Sequence, residues 1–161
     1  MRYSEDHQQT SFSESDMYKH LLIATDGSEL AQRAVTQGCE LAKALGSKAT
    51  IVTVTEPWRM VAPAEVAVVY PIEDYEKAAA SNASKILADA ASAAAKVGIT
   101  CETVHIKDEF PAEGIVQAAQ ARACDLIVMA SHGHRGLVEF VLGSQAHRVV
   151  TTCAVSVLIC R

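Results

Sequence analysis

The sequence predicts an α/β domain: five parallel strands in the spatial order 3-2-1-4-5, with helices on both faces. Three observations carry this. Short apolar or β-branched runs alternate along the chain with stretches of helical periodicity. Turn and cap residues stand at nearly every change of period. Half of the residues are hydrophobic but only 5% are aromatic, and alanine and valine dominate, which suits helices lying close on a sheet.

The elements follow in order. H-L-L-I-A-T (20–25) is a short apolar strand stopped by Asp26-Gly27-Ser28, a turn and helix-cap cluster. Ala31, Ala34, Val35, Gly38, Leu41, Ala42 and Leu45 then recur at helical spacing until Gly46. A-T-I-V-T-V-T (49–55) reads as a buried strand. A loop with Pro57, Pro63 and Pro71 follows; it is apolar enough that part of it is expected to pack on the domain. Residues 72–97 form the longest helix, because ten of the 18 residues from Ala78 to Ala95 are alanine, the best helix former. Gly98 ends it. T-C-E-T-V-H-I (100–106) alternates like a strand near a sheet edge. Pro111 opens a helix that runs to about Ala123. D-L-I-V-M-A (125–130) is an unbroken apolar strand. A glycine-bearing segment (131–144), a helix through Ala146, Val149 and Val150, and a last strand A-V-S-V-L-I (154–159) complete the domain.

This β-α-β-α-β-α-β-α-β order implies a parallel sheet, and right-handed crossovers leave few topologies. Length agrees, since 161 residues suffice for one compact domain. The domain is expected to span 17–161. Residues 1–16 are polar, lack periodicity and carry Arg2 against Glu5, Asp6, Glu14 and Asp16, which reads as a disordered acidic tail.

Several function classes are set aside. A net charge of −5 argues against a nucleic-acid binder, which carries a basic stripe. No apolar run reaches the ~18 residues of a membrane span, and the N-terminus lacks a secretory h-region, so the expectation is a cytoplasmic protein. Five cysteines without C-x-x-C spacing fit neither a disulfide framework nor a zinc site; each lies in an apolar stretch and reads as a buried small hydrophobe rather than a redox-active thiol. His132 and His134 flank Gly133 without a third ligand, so no metal site is expected. A P-loop and a nucleophile elbow are both missing. No second base or arginine finger is placed, so rapid phosphoryl-transfer chemistry is not expected.

In the 3-2-1-4-5 order, ligands bind beyond the carboxyl ends of strands 1 and 4. Two turn segments face each other there. Asp26 offers a carboxylate for a ribose hydroxyl, an adenine amino group or a magnesium-bound water; the competing reading is a helix cap, a role that Ser28 can fill. After strand 4, Gly133 and Gly143 have nine residues between them and Ser144 follows, a pattern for phosphate held on helix-start amides; the competing reading is a loop merely shaped by its glycines.

Three segments carry a family resemblance: I-A-T-D-G-S at the first strand's end, M-A-S-H-G-H-R-G-L at 129–137, and L-G-S-Q-A-H-R-V-V at 142–150. In them the chain resembles a universal stress protein of the single-domain bacterial type, over about 17–161. ATP-binding members show G-x-x-G, nine residues, then G with Ser or Thr. Here Ala130 replaces the first glycine, while Gly133, Gly143 and Ser144 match. The resemblance implies that Asp26 and the Val54 backbone read the adenosine end of ATP. Met129 and Ala130 would line the ribose. Gly133, Gly143, Ser144 and the amides of Gln145 and Ala146 would hold the phosphates, with Mg2+ as an accompanying ion. Two further departures are Ala24 and Ser156, each at a place where the family often has proline. The last strand is a proline-free apolar edge, and the resemblance implies a homodimer formed through 154–159. The expected function is an ATP-binding dimeric regulator in stress response. The alternative is a dimeric interaction module that binds no nucleotide.

Overall fold

Strand β1 (His20–Ala24) and strand β4 (Leu126–Ala130) lie side by side at the centre of the sheet, and both are almost wholly buried. Their near-continuous apolar sequences require this, because each strand has a helical layer over both faces. Strand β2 (Lys48–Thr55) flanks β1, and β3 (Glu102–Lys107) and β5 (Ser156–Cys160) form the two edges. The order is β3-β2-β1-β4-β5 and every pairing is parallel, as the sequence predicts. The computed structural model describes residues 17–58, 72–133 and 142–161. The tail at 1–16, the apolar loop from residue 59 to 71, and His134, Arg135 and Gly136 lie outside the described residues.

Helices α1 (Glu29–Leu45) and α2 (Ile72–Val97) cover one face, and α3 (Pro111–Ala121) and α4 (Ser144–Thr152) cover the other. The first core joins Leu21, Ile23 and Ile51 to Ala34, Val35 and Leu87; the second joins Leu22, Val52 and Ile127 to Ile115, Ala118 and Val149. Small residues set how close the helices approach. A Cβ on Gly38 would fall 2.9 Å from Ile23 Cδ1, and one on Gly114 would fall 2.9 Å from Val54 Cγ1. Gly38 thus lets α1, and Gly114 lets α3, sit directly on the strands.

The caps behave as their residue types require. Ser28 Oγ accepts from Ala31 N at 3.3 Å, and Gly46 closes α1 in the left-handed region at φ 66°. At the amino ends of β1 and β4, Asp125 accepts from the Lys19 and His20 amides at 2.7 and 3.0 Å. His20 Nδ1 donates to Arg122 O at 3.1 Å, and Nε2 meets Thr50 Oγ1 at 2.9 Å. This histidine is a structural strut between three elements.

Two strands begin later than the sequence suggests. Gly98 leaves α2 at φ 92° and Ile99 N still donates to Ala94 O, so the chain joins β2 only from Glu102, opposite Thr50. At β5, pairing starts with Ser156 against Leu126, because Ala154 and Val155 are still turning out of α4.

Candidate functional site

All five strands run the same way, so their carboxyl ends converge on one edge of the sheet. Between β1 and β4 the chain departs in opposite directions, to α1 on one face and toward α4 on the other, and a crevice opens. On the β1 side the turn is built by its own side chains. Thr25 Oγ1 accepts from Gly27 N at 3.2 Å, and Asp26 Oδ1 accepts from Ser28 N at 3.0 Å. Gly27 sits at φ 81°, and a Cβ there would meet Ile86 Cγ1 at 2.8 Å, so only glycine fits between this turn and α2. With Ser28 capping α1, the outer oxygen of Asp26 is directed at the crevice.

On the β4 side, Gly133 lies against that oxygen: a Cβ on Gly133 would strike Asp26 Oδ2. Gly143 returns the chain to the same place. Its amide donates to Ser131 O at 2.9 Å, and a Cβ on it would lie 2.8 Å from that carbonyl. Ser131 is buried, and its hydroxyl lies 3.2 Å from His132 Nδ1. The structure therefore brings Asp26, Gly133 and Gly143 into one cluster. Gly143 is required by packing against backbone, whereas Gly133 is pressed by the end of the Asp26 side chain, reasons that spacing could not show.

Gly143 is also the N-cap of α4, at φ −57° and ψ 150°, and as a glycine it offers no side-chain cap. The first-turn amides of Ser144, Gln145 and Ala146 have no intrahelical acceptor, because a helix leaves its first donors unpaired. Ser144 is exposed beside them, whereas the Ala146 methyl is buried against α3. An uncapped helix start with a hydroxyl at its first position is suited to an anion.

Val54 contributes backbone. The last β1–β2 bond is Thr25 N to Val52 O, and β2 continues to Thr55 paired only with β3. In a parallel ladder, residues two apart direct their amide and carbonyl to the same side. Those of Val54 therefore point past the end of β1, toward the Asp26 turn. Its side chain packs under Gly114. Met129 is 7% exposed and packs toward α3 and α4, whereas Ala130 is 8% exposed and its methyl belongs to the α1/α2 core. The extra carbon at Ala130 thus points into the protein interior.

Two residues escaped the sequence reading as side chains. Gln145 Oε1 accepts from Ala112 N at 3.1 Å and so caps α3 from α4. Glu113 pairs with Arg148 at 2.5 Å through Oε1, while its Oε2 is buried without a hydrogen-bond partner among the described residues. Neither contact has a local sequence signal, because each crosses between helices. A cleft of about 600 Å³ also opens between α1 and α2, with Asp26 and Gly27 at one end and Gln32, Asn82, Lys85 and Asp89 along it. Among the described residues, no group of three or more His, Cys, Asp or Glu is placed to hold a metal, and no helix is long and apolar enough to cross a membrane.

Trp58 and Tyr75 rings lie 4.8 Å apart where β2 leaves the sheet, and Tyr75 Oη donates to Glu56 O at 2.7 Å. Burial, with Glu56 and Asp108 nearby, raises the Tyr75 phenol above its ordinary value. This aromatic pair fixes the exit of β2 beside Val54.

The topology and the crevice define a Rossmann-like α/β protein whose candidate site lies at the β1/β4 switch point. Comparison with known proteins narrows the class. The universal stress protein family profile matches residues 17–161. The chain is 33% identical over 145 residues to a Thermus aquaticus universal stress protein, covering 90% of this chain and 100% of that protein. It is 31% identical over 148 residues to the Bacillus subtilis universal stress protein YxiE, covering 88% and 99%. Among solved structures, a universal stress protein in complex with cAMP superposes with a TM-score of 0.66 at 24% identity, covering 88% of this chain and 95% of that one. The chain belongs to the universal stress protein family.

Proposed function

We propose that this chain binds an adenine nucleotide, ATP with Mg2+ in the full form, and acts as a homodimeric regulatory protein of the stress response in the cytoplasm. The observation that carries this reading is the start of α4. Its N-cap is Gly143, which offers no side-chain cap, and it lies in the same crevice where Asp26 meets Gly133. The residues fit such a ligand. Asp26 and the outward backbone of Val54 would take the adenosine end, and Met129 and Ala130 would flank the ribose. Gly133, Gly143, the Ser144 hydroxyl and the amides of Gln145 and Ala146 would take the phosphates. Mg2+ would offset phosphate charge that the helix start alone does not neutralise. The cAMP complex of a family relative supports the same ligand class. The residues assign no hydrolytic step, so the reading is a binding protein with at most slow turnover.

The β5 edge would form the dimer. Leu158 on β5 is 39% exposed, and among the described residues no strand pairs with the edge of β5 away from β4, which leaves that edge for a second copy.

The test is titration calorimetry of refolded protein with Mg-ATP, with Ser144→Asp as control. Ser144 is exposed at the first position of α4, where an acidic residue is favourable to the helix, so the variant folds while placing negative charge where phosphate would lie. Binding by the parent, weakened about tenfold or more in Ser144→Asp, supports the proposal; ~1.4 kcal/mol corresponds to that factor. A refolded dimer that takes up no nucleotide overturns it. The second reading, an interaction module without nucleotide, is favoured by one observation: Gly143 is already required by packing against the Ser131 carbonyl.

A further inference from the structure

Along the last part of β2 the backbone alternates between its two neighbours. Thr55 O accepts from Glu109 N at 3.3 Å on the β3 side, and Val52 O accepts from Thr25 N at 2.9 Å on the β1 side. The even-numbered residues therefore face β1, and β1 ends before Val54 is reached. The next carbonyl in that alternation is Glu56 O, and a side chain takes it. Tyr75, in the first turn of α2, donates to it through Oη at 2.7 Å. Val54 is thus bracketed. The carbonyl two residues before it is tied to β1, and the carbonyl two residues after it is tied to α2.

The tyrosine is itself held. Its ring lies 4.8 Å from that of Trp58 at an interplanar angle of 42°, which anchors the chain again two residues beyond Glu56. Tyr75 and Ile86 are eleven residues apart, about three helical turns, and so share one face of α2. Ile86 lies against Gly27 in the Asp26 turn. A single face of α2 therefore supports the exits of both β1 and β2.

We propose that Tyr75 is a positioning residue for base selectivity: its hydroxyl, through Glu56 O, holds the Val54 amide and carbonyl in strand geometry, where they accept adenine and reject guanine. The inference rests on the adenine-nucleotide reading above. The chemistry of the two bases supplies the selectivity. One residue on a strand edge offers an N–H donor and a C=O acceptor side by side. Adenine matches them, with N1 as acceptor and the N6 amino group as donor. Guanine presents O6 and N1–H in the corresponding places. Acceptor then faces acceptor and donor faces donor, and the unpaired groups cost binding. Such discrimination requires both backbone groups to stay in place. Because β1 has ended here, Tyr75 supplies the tie that β1 no longer gives.

The test titrates the full chain and Tyr75→Phe with Mg-ATP and Mg-GTP by calorimetry, using displacement of bound ATP where GTP is weak. Tyr75→Phe keeps the ring beside Trp58 and removes only the donor, so the variant folds. The parent is expected to prefer ATP by about tenfold or more. In Tyr75→Phe that preference should fall by about three- to tenfold, the span of one lost hydrogen bond, chiefly through weaker ATP binding. A merely structural role would weaken both nucleotides alike and leave their ratio fixed. An unchanged ratio, or a parent that binds both nucleotides equally, overturns the proposal and leaves the nucleotide reading standing. A parent that binds neither overturns that reading, and this proposal with it.

Discussion

Gly133 and Asp26 are in direct contact across the crevice: the glycine at the exit of β4 lies so close to the carboxylate at the exit of β1 that any side chain would strike Oδ2. The two residues are 107 positions apart and lie on strands that are neighbours in the sheet. The contact joins the two halves of the site.

It predicts a specific non-additivity. Gly133→Ala should destabilise by about 1–3 kcal/mol, because the methyl must displace Asp26 or the segment after β4. Asp26→Ala removes the obstructing carboxylate but also the acceptor of the Ser28 amide. In the double variant the Gly133→Ala penalty should largely vanish, with a coupling energy of about 0.5–3 kcal/mol. Urea denaturation of the four proteins measures it. Additive penalties would mean that the two residues do not press on one another.

Gln145 is expected to matter for stability through its side chain and for ligand through its amide. Gln145→Ala leaves Ala112 N, at the start of α3, without its acceptor. The expected cost is about 0.5–2 kcal/mol, the range for loss of a helix N-cap. Gln145→Glu keeps an acceptor and should retain most of that stability. Since the backbone amide is present in both variants, Mg-ATP affinity should stay within about threefold of the parent, or ~0.65 kcal/mol. An affinity loss that tracks the stability loss would instead place the side chain in the ligand site.

His105 gives a pH dependence with a defined sign. On the edge strand β3 its Nε2 lies 2.7 Å from Thr55 Oγ1. Burial, with Lys107 adding repulsion, holds its pKa below the ordinary 6.5. The unfolded chain therefore takes up this proton more readily than the folded one. The contribution of His105 is present above about pH 6.5 and is lost as pH falls from there through the lower folded value. His105→Gln should flatten the stability profile in that window and leave it unchanged at pH 8. Thermal melts of both proteins from pH 5 to 8 measure the difference. Equal slopes would remove His105 as the cause.

Much of the fold was legible because it is written locally. The alternation of periods, the Ser28 cap, Gly46, Gly98 and Pro111 each act within a turn of their own position, and right-handed crossovers then leave little choice of strand order. The errors were small and local too. Thr100 and Cys101 look like strand but are still leaving α2, because pairing depends on what β2 offers and not on alternation alone.

The site was legible in part. Asp26, Gly133, Gly143 and Ser144 stood out by residue type and spacing, and the fold gathers the first three into one cluster. The pattern could not say why the glycines are there. Their reason is a steric meeting with Asp26 Oδ2 and Ser131 O. Likewise, Ala130 reads as a departure from the family motif, yet its methyl faces the α1/α2 core.

The sequence by itself determined the class of fold, the strand order, the family and the residues worth watching, because periodicity, caps and turn chemistry are short-range properties. Only the tertiary structure decided which of those residues touch. The contact of Gly133 with Asp26 and the capping of α3 by Gln145 each join elements distant in the chain. Such contacts are set by how closely the helices settle on the sheet, and that distance depends on the packing of both cores at once.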